Sequence, residues 1–427
     1  MPFMAEDPKS FTAPKGTRDI LPPESWRWER LTRLALDSFA RAGFAPIVTP
    51  DFEHTELFER GVGNASEVVT KQMYTFADRG GRSLTLRPEG TAPVMRAILE
   101  HGLERGPLPV KLAYAQAMFR YERPQKGRTR QHLQVGAEGI GSENPVLDAE
   151  IIELSHRYLR DAGLEPHLLL NSIGHEDASC RQGYIKVLSG FLYEHASELA
   201  SEDRQRLETN PLRTFDSKEK RTLEVMKGAP LLSEYICDAC REHFAEVQGA
   251  LDDLGVEFER EPRLVRGLDY YTRTTFEYQV GGLGSQSAVG GGGRYDGLSE
   301  ALGGPRLPGI GFGLGIDRIL LALAGKGSSG DAAEGAVDVY VVALGSRAQR
   351  AALKLATDLR RAGVGADFDL GGRSMKGQMK DASRSGAKWA VILGEDEMAK
   401  GTAALKDLTT TDQRTVRLDE VLSAVRT

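Results

Sequence analysis

The chain has 427 residues, 40% of them hydrophobic and 27% charged, which allows two or three domains with full cores and excludes a disordered protein. Its 55 Lys and Arg against 61 Asp and Glu give a net charge of −6, so any nucleic-acid partner has to be held by a local basic patch. Three cysteines (Cys180, Cys237 and Cys240) exclude a disulfide framework, and the longest apolar run, Ile319 to Ala324, is too short to cross a bilayer.

Met1 to Ser10 carries Glu6 and Asp7 and has no apolar core, so it reads as neither signal nor transit peptide, and the expectation is a soluble, cytoplasmic protein. A first helix follows Pro22-Pro23, with Trp26, Leu31, Leu34 and Ala35 at helical spacing and Gly43 where a C′ glycine belongs. The extended segment Phe44 to Thr49 contains Pro46 and stops at Pro50, which predicts an edge strand. Asn144 as N-cap and Pro145 at the first helical position open another helix that ends at Gly163. Residues 176–256 are rich in Glu, Lys, Arg and Leu and read as a helical insertion.

From 263 to 318 the pattern becomes strand-like, as in Thr274 to Val280, and glycines cluster from Gly281 to Gly315, suggesting a backbone that approaches a ligand closely. Gly325 to Gly335 (GKGSSGDAAEG) reads as a linker. Beyond it, Val337–Leu344, a helix over Arg347–Ala362, a strand near Ala366–Asp369, a helix near Ser374–Ser385 and a strand over Trp389–Leu393 form a βαβ series with a partly parallel sheet. The expected domains are 1–325 with the insertion at about 176–256, a linker at 326–336, and 337–427.

Neither a phosphate loop of the G-x-x-x-x-G-K-[ST] type, nor a dinucleotide-binding G-x-G-x-x-G after a strand, nor G-x-S-x-G is present. Two arginines stand out instead. Met118-Phe119-Arg120-Tyr121-Glu122 opens a basic loop with Arg123, Lys126, Arg128 and Arg130, and Gly311-Phe-Gly313-Leu-Gly315-Ile-Asp-Arg318 runs into an apolar helix. Alternating glycines clear a flat backbone surface, and an arginine one turn into a helix can stack on a base or fork a phosphate. Taken singly, each is as readily a glycine-rich strand end with surface arginines.

Together these motifs resemble the second and third signatures of class II aminoacyl-tRNA synthetases. Gly43-Phe44, Pro50 and Asp51-Phe52 resemble the first, which in that class forms the dimer interface. Arg266-Gly267-Leu268-Asp269-Tyr270-Tyr271 and Gly291-Gly292-Gly293-Arg294-Tyr295-Asp296-Gly297 look like blocks peculiar to the histidyl-tRNA synthetase family, as do Leu86-Arg87-Pro88-Glu89-Gly90-Thr91 and Gln134-Val-Gly-Ala-Glu138. The resemblance runs from Gly16-Thr17-Arg18-Asp19 through the C-terminal domain. It implies an α+β catalytic domain on an antiparallel sheet, a helical insertion, and a C-terminal α/β anticodon-binding domain.

The resemblance also implies roles. Glu89, Thr91 and Gln134 would hold the α-amino group of L-histidine, with Gly90 in the same histidine site; Glu138 and Tyr271, with Tyr270 nearby, would read its imidazole, and Tyr295 would line that pocket. Arg120 would grip the ATP α-phosphate, Arg318 the adenine and outer phosphates, and Arg266 the charge developing at phosphorus. Mg²⁺ would accompany ATP, with no tightly bound cofactor. Gln125 and Arg128 would touch tRNA(His), and the enzyme would be a homodimer with no membrane attachment. A rival reading is a non-catalytic, histidine-sensing regulatory paralogue of ATP phosphoribosyltransferase. Such proteins usually lack the C-terminal domain and degrade the motif arginines, whereas Arg120, Arg266 and Arg318 are all present.

Two further features stand on their own residues. Arg373, Lys376, Lys380, Arg384 and Lys388 recur at near-helical spacing with Asp381 the one acid among them, predicting a positive stripe over the first four that suits nucleic acid. A plain solvated helix face is the alternative. Cys237-Asp-Ala-Cys240 with His243 resembles half a zinc site, but Cys180 lies far upstream, so the expectation is an inert reduced pair and no metal. His54, His101 and His167 show no ligand spacing.

Overall fold

The computed structural model describes residues 11–63, 66–123, 127–175, 180–207, 210–281, 283, 288–325 and 337–426. The expected linker at 326–336 and Gln125 lie outside these residues. The chain divides into two compact units, the larger including residues 11–20 and 28–325 and the smaller residues 337–426 together with 21–27.

The part of α1 (Glu24–Arg41) that belongs to the larger unit buries Leu31, Ala35 and Phe39 on one face and is followed by Gly43 at φ +82°, the left-handed turn that an L side chain rarely adopts. There follow β1 (Ala45–Pro46), β2 (Phe52–His54), α2 (Thr55–Val62), β3 (Tyr74–Ala77), β4 (Ser83–Leu86) and α3 (Thr91–His101). A long hairpin of β5 (Val110–Phe119) and β6 (Gln131–Ile140) leads to α4 (Pro145–Asp161) and β7 (His167–Ser172). Asn144 Oδ1 accepts from Val146 N at 2.9 Å, the cap that its position predicts.

The segment read as an insertion carries α5 (Arg181–Glu194), α6 (Ser201–Arg206), α7 (Lys220–Met226) and α8 (Asp238–Asp253). β8 (Glu259–Arg260), β9 (Thr272–Gln279), β10 (Ala288–Arg294), α9 (Leu298–Ala301), β11 (Gly309–Gly315) and α10 (Ile316–Gly325) complete the unit.

Eight strands form one sheet in the order β1-β5-β6-β11-β10-β9-β7-β8, antiparallel except for the two outermost pairs. β1, with its Pro46, sits at the edge, where a missing N–H costs no ladder bond. The period of two then sorts β11: Ile310, Phe312 and Leu314 enter the core with Phe39, Ile151 and Tyr158, while Gly309, Gly311, Gly313 and Gly315 line the opposite face. Phe312 meets Phe39 edge to face at 5.4 Å. That glycine face leaves room for side chains lying against the sheet: a Cβ on Gly309 would meet the Tyr295 ring, and one on Gly311 would meet Glu138.

A clamp comes from the Gly-Gly-Gly-Arg block. Arg294 is fully buried and donates from Nε to both carboxylate oxygens of Asp148 on α4, at 3.0 and 3.1 Å, and from Nη1 to Ser142 O at 2.8 Å. It therefore ties β10 to α4, and its neighbour Tyr295 is left to face the other way.

In the smaller unit, β12 (Val339–Ala343), α11 (Ser346–Arg361), β13 (Ala366–Phe368), α12 (Met375–Arg384) and β14 (Trp389–Leu393) are the expected βαβ series. After α13 (Glu395–Lys400) a hairpin of β15 (Thr402–Asp407) and β16 (Gln413–Arg417) adds two antiparallel strands, giving the order β13-β12-β14-β15-β16, and α14 (Val421–Val425) follows. β16 is almost wholly exposed, so its sequence lacks the apolar alternation that marks a strand.

Candidate active site

Glu138 lies on the glycine face of the sheet, paired in register with Gly311 of β11. Its carboxylate is fully buried and ringed by hydroxyls: Thr91 donates to Oε1 at 2.8 Å, Tyr114 to Oε1 at 3.2 Å and Tyr295 to Oε2 at 2.5 Å. Burial pushes this carboxyl up to about 8, against the pull of the Tyr295 and Thr91 hydroxyls. Tyr270 and Tyr271 pack beside it, their rings tilted to each other with centroids 4.7 Å apart, and Tyr295 stands 5.8 Å from Tyr270. Burial, with Glu138 nearby, holds Tyr114 and Tyr295 far above the usual phenol range, so both remain hydroxyl donors.

Glu89 is also buried. Its oxygens accept from Thr91 N at 2.7 Å and Ala92 N at 3.0 Å, capping α3, and Tyr270 donates to it at 3.2 Å. Burial raises its carboxyl, while the two backbone N–H groups and the charge of Arg120 oppose the rise. The Thr91 hydroxyl is thus turned to Glu138 rather than left open. Gly90 is needed for space: a Cβ there would fall 2.6 Å from the Tyr114 ring.

The arginines of the two signature motifs meet in a single cavity of about 540 Å³, lined by Arg120, Arg128, Gln134, Arg266, Glu277 and Arg318 among others. Arg120, at the end of β5, donates from Nε to Pro88 O at 2.8 Å, beside Glu89. Arg318, in the first turn of α10, donates from Nε to Ala288 O. Arg266 donates from Nη1 to Glu277 Oε2 at 2.9 Å, and its buried Nε has no hydrogen-bond partner among the described residues. Arg128 pairs with Glu122 at 3.2 Å inside this cavity. Arg87 holds the Pro50-Asp51 segment in place, donating to Thr49 O and Pro50 O, while Arg18 reaches Asp317 at 3.0 Å.

In the smaller unit the basic stripe is shorter than its spacing predicts. Ser374 caps α12 through Gly377 N, so Arg373 precedes the helix and is engaged by Asp381 and Asp369. Arg384 lies 3.7 Å from Asp381, and Lys388 rests over the Trp389 ring. Lys376 and Lys380 are exposed and without an ion pair among the described residues.

Three features escaped the sequence. Tyr114 on β5 completes the hydroxyl ring around Glu138, and Glu277 on β9 holds Arg266. Strand alternation puts polar atoms on an inner face at both positions, which is the signal that could have found them. The third is a correction. His243 is not a partner of the cysteine pair: it packs 3.6 Å from Asp148, with burial and Arg294 holding its ring down at about 4. Cys180 and His175 lie beside Cys237 and Cys240 instead.

An antiparallel sheet with arginines at a strand hairpin and at a strand-to-helix junction, sharing one cavity, defines the catalytic unit of a class II aminoacyl-tRNA synthetase. The family described as histidyl-tRNA synthetase matches residues 16–319, and an anticodon binding domain matches 338–427. Similar proteins include the histidine–tRNA ligases of Corynebacterium efficiens, 52% identical over 97% of this chain and 96% of that one, and of Streptomyces coelicolor, 48% identical over 97% of each. Among solved structures, apo histidyl-tRNA synthetase of S. aureus is similar with a TM-score of 0.81 and 37% identity, over 98% of this chain and 100% of that one. An ATP phosphoribosyltransferase regulatory subunit/histidyl-tRNA synthetase of Bacillus halodurans, at 23% identity and a TM-score of 0.64, shares the fold. The chain belongs to the histidyl-tRNA synthetase family.

Proposed function

We infer that this chain is a histidine–tRNA ligase, joining L-histidine to ATP as histidyl-adenylate with release of pyrophosphate and then passing the acyl group to the terminal ribose of tRNA(His). The carrying observation is the placement of a buried, hydroxyl-ringed carboxylate, Glu138, on the same sheet face as a cavity walled by four arginines. A carboxylate with aromatic neighbours can fix an imidazole tautomer or pair with imidazolium, which an apolar pocket cannot.

In this reading Glu138, with Tyr270, Tyr271 and Tyr295, receives the ring, while Glu89 and Gln134 face the ammonium end. Gly90 leaves room at that end, and Thr91 links the two carboxylates, its N–H held by Glu89 and its hydroxyl by Glu138. The histidine carboxylate is already ionised, so its attack on phosphorus needs no general base. Arg120 and Arg266 then act on the α-phosphate as planar charged forks, with Arg318 against the adenine and outer phosphates. The unpartnered Nε of Arg266 supports this role, being a donor with nothing yet to serve. Magnesium would enter with ATP, and Glu122 and Glu277 offer the oxygen donors a hard cation takes.

Exposed Val48, Phe52 and Phe76 around the first-signature segment support a homodimer, since such apolar surface is otherwise left in water. Lys376 and Lys380 are the favoured tRNA contacts of the smaller unit. Arg373, Arg384 and Arg128 remain candidates that would have to exchange a carboxylate for a phosphate. No helix among the described residues is long and apolar enough to cross a membrane, in keeping with the proposed cytoplasmic location. The regulatory-paralogue reading is weaker, because Arg120, Arg266 and Arg318 converge on a cavity that a histidine sensor has no need to build. Histidine-dependent exchange of labelled pyrophosphate into ATP tests the choice: exchange with histidine alone among the standard amino acids is expected, and its absence selects the sensor.

A further inference from the structure

The larger unit brings together four metal-type ligands that the adenylation chemistry does not use. His175 follows β7, Cys180 stands at the start of α5, and Cys237 and Cys240 occupy the N-cap and first turn of α8. Their ligand atoms all lie within 4.8 Å of one another. His175 Nδ1 is 3.0 Å from Cys240 Sγ and 3.7 Å from Cys237 Sγ, and Cys180 Sγ is 4.0 Å from Cys240 Sγ. Zinc–sulfur and zinc–nitrogen bonds of ordinary length place ligand atoms about 3.5–3.8 Å apart around a tetrahedron, so this cluster has the right size. The three cysteines are free thiols, and Cys180 and Cys240 are buried.

We propose that His175, Cys180, Cys237 and Cys240 form a structural zinc site of the Cys₃His type, closed to substrate. Three thiolates and one neutral imidazole complete four-coordination, leaving no position for water and therefore no hydrolytic chemistry. The thiols give up their protons on binding, so metal uptake is coupled to the folding of the segments that carry them. Those segments are the exit of β7, the first helix of the insertion and the last one, which the metal would staple at a single point. Gly174 makes room for the Cys180 thiol, since a Cβ there would fall 2.6 Å from its Sγ.

The staple also touches the histidine pocket. Arg181, next to Cys180, donates to the backbone carbonyl of Tyr271 at 2.6 Å, and Gly174 O accepts from Arg273 N at 2.7 Å. The metal would hold the insertion against the backbone of the pocket wall.

The test is zinc content of the full chain, purified without metal-affinity resin from zinc-replete culture, followed by replacement with Co²⁺. One zinc per chain and the intense d–d absorption of tetrahedral cobalt–thiolate are expected. Cys240→Ser and the half-exposed Cys237→Ser should each lose zinc and lower the melting temperature, while His243→Ala keeps the full equivalent. Wild-type chain that carries no zinc and gives no tetrahedral cobalt spectrum overturns the proposal, whatever the folding of the variants. So does retention of zinc by both cysteine variants, or a Cys180–Cys240 disulfide in the freshly purified protein.

Discussion

Gly311 and Glu138 face each other across paired strands so closely that a Cβ on the glycine would fall 1.7 Å from the glutamate's Oε2 and 2.8 Å from Ala137 O. Glu138 cannot swing away, because Thr91, Tyr114 and Tyr295 hold it and its side chain is fully buried. The glycine of the third signature therefore makes room for the carboxylate.

Gly311→Ala should accordingly damage histidine recognition from a position that offers no side chain to the ligand. Overpacking a closed site costs about 1–3 kcal/mol, so the melting temperature should fall as well. A Michaelis constant for histidine that rises ~10-fold or more with a smaller change for ATP is the expected pattern. Unchanged histidine kinetics would show that Glu138 relaxes without loss.

The acidity of Glu138 gives a pH signature. Its carboxyl is raised from the ordinary range to about 8 by burial. Since the folded form binds the proton more tightly than the unfolded chain, this group's stabilising contribution is full below the ordinary carboxylate range. It is lost as pH rises through about 8. In the proposed role of Glu138, productive binding needs one proton shared between this carboxyl and the imidazole, whose free pKa is about 6.5. The kcat/KM for histidine should fall below that value, where both partners are protonated, and above about 8, where neither is. Glu138→Gln should remove the limb near 8 and raise the histidine constant about 10- to 150-fold, the worth of a charged hydrogen bond of about 1.5–3 kcal/mol. A limb that survives in the Gln variant belongs to another group.

Arg266→Ala separates binding from chemistry. In the resting site this arginine leans on Glu277, with its Nε unused. Loss of a donor that acts only on developing charge costs ~10²–10³ in kcat and leaves the ground state nearly untouched. Single-turnover adenylation should show that loss with histidine affinity within a few-fold of wild type. Equal losses in rate and affinity would move Arg266 into substrate binding.

How much of this could be read in the sequence depends on the distance over which each signal acts. The helix bounded by Asn144, Pro145 and Gly163 was legible because caps are set by neighbours. The glycine alternation of β11 was legible because it is periodic, yet its partner Glu138 gained meaning only through strand register. Tyr114 was missed for that reason: its hydroxyl matters only once β5 lies against β6 with Tyr114 opposite Gly136. The cysteine cluster is the extreme case, since Cys180 and Cys237 are 57 residues apart and no local pattern announces a meeting brought about by the packing of two helices. The basic stripe failed at its first member, Arg373, because the N-cap at Ser374 decides where the helix starts and spacing alone does not.

That correction sharpens the last prediction. Lys376 and Lys380 are one turn apart on α12, exposed and unpaired among the described residues, whereas Arg373 and Arg384 spend charge on Asp381. The double reversal Lys376→Glu, Lys380→Glu should leave pyrophosphate exchange near wild type, because adenylate formation involves only small molecules in the larger unit. Aminoacylation should fall through tRNA affinity, and the slope of log K against log salt should shrink by about 0.7–0.9 for each phosphate that is no longer neutralised. The two effects need not add, since the positions are neighbours on one face. Arg373→Ala should cost less than either reversal, as its guanidinium must first leave Asp381 to meet a phosphate. If tRNA affinity and its salt slope both survive the double reversal, α12 is a solvated face. The anticodon stem must then be held by other loops of the same unit.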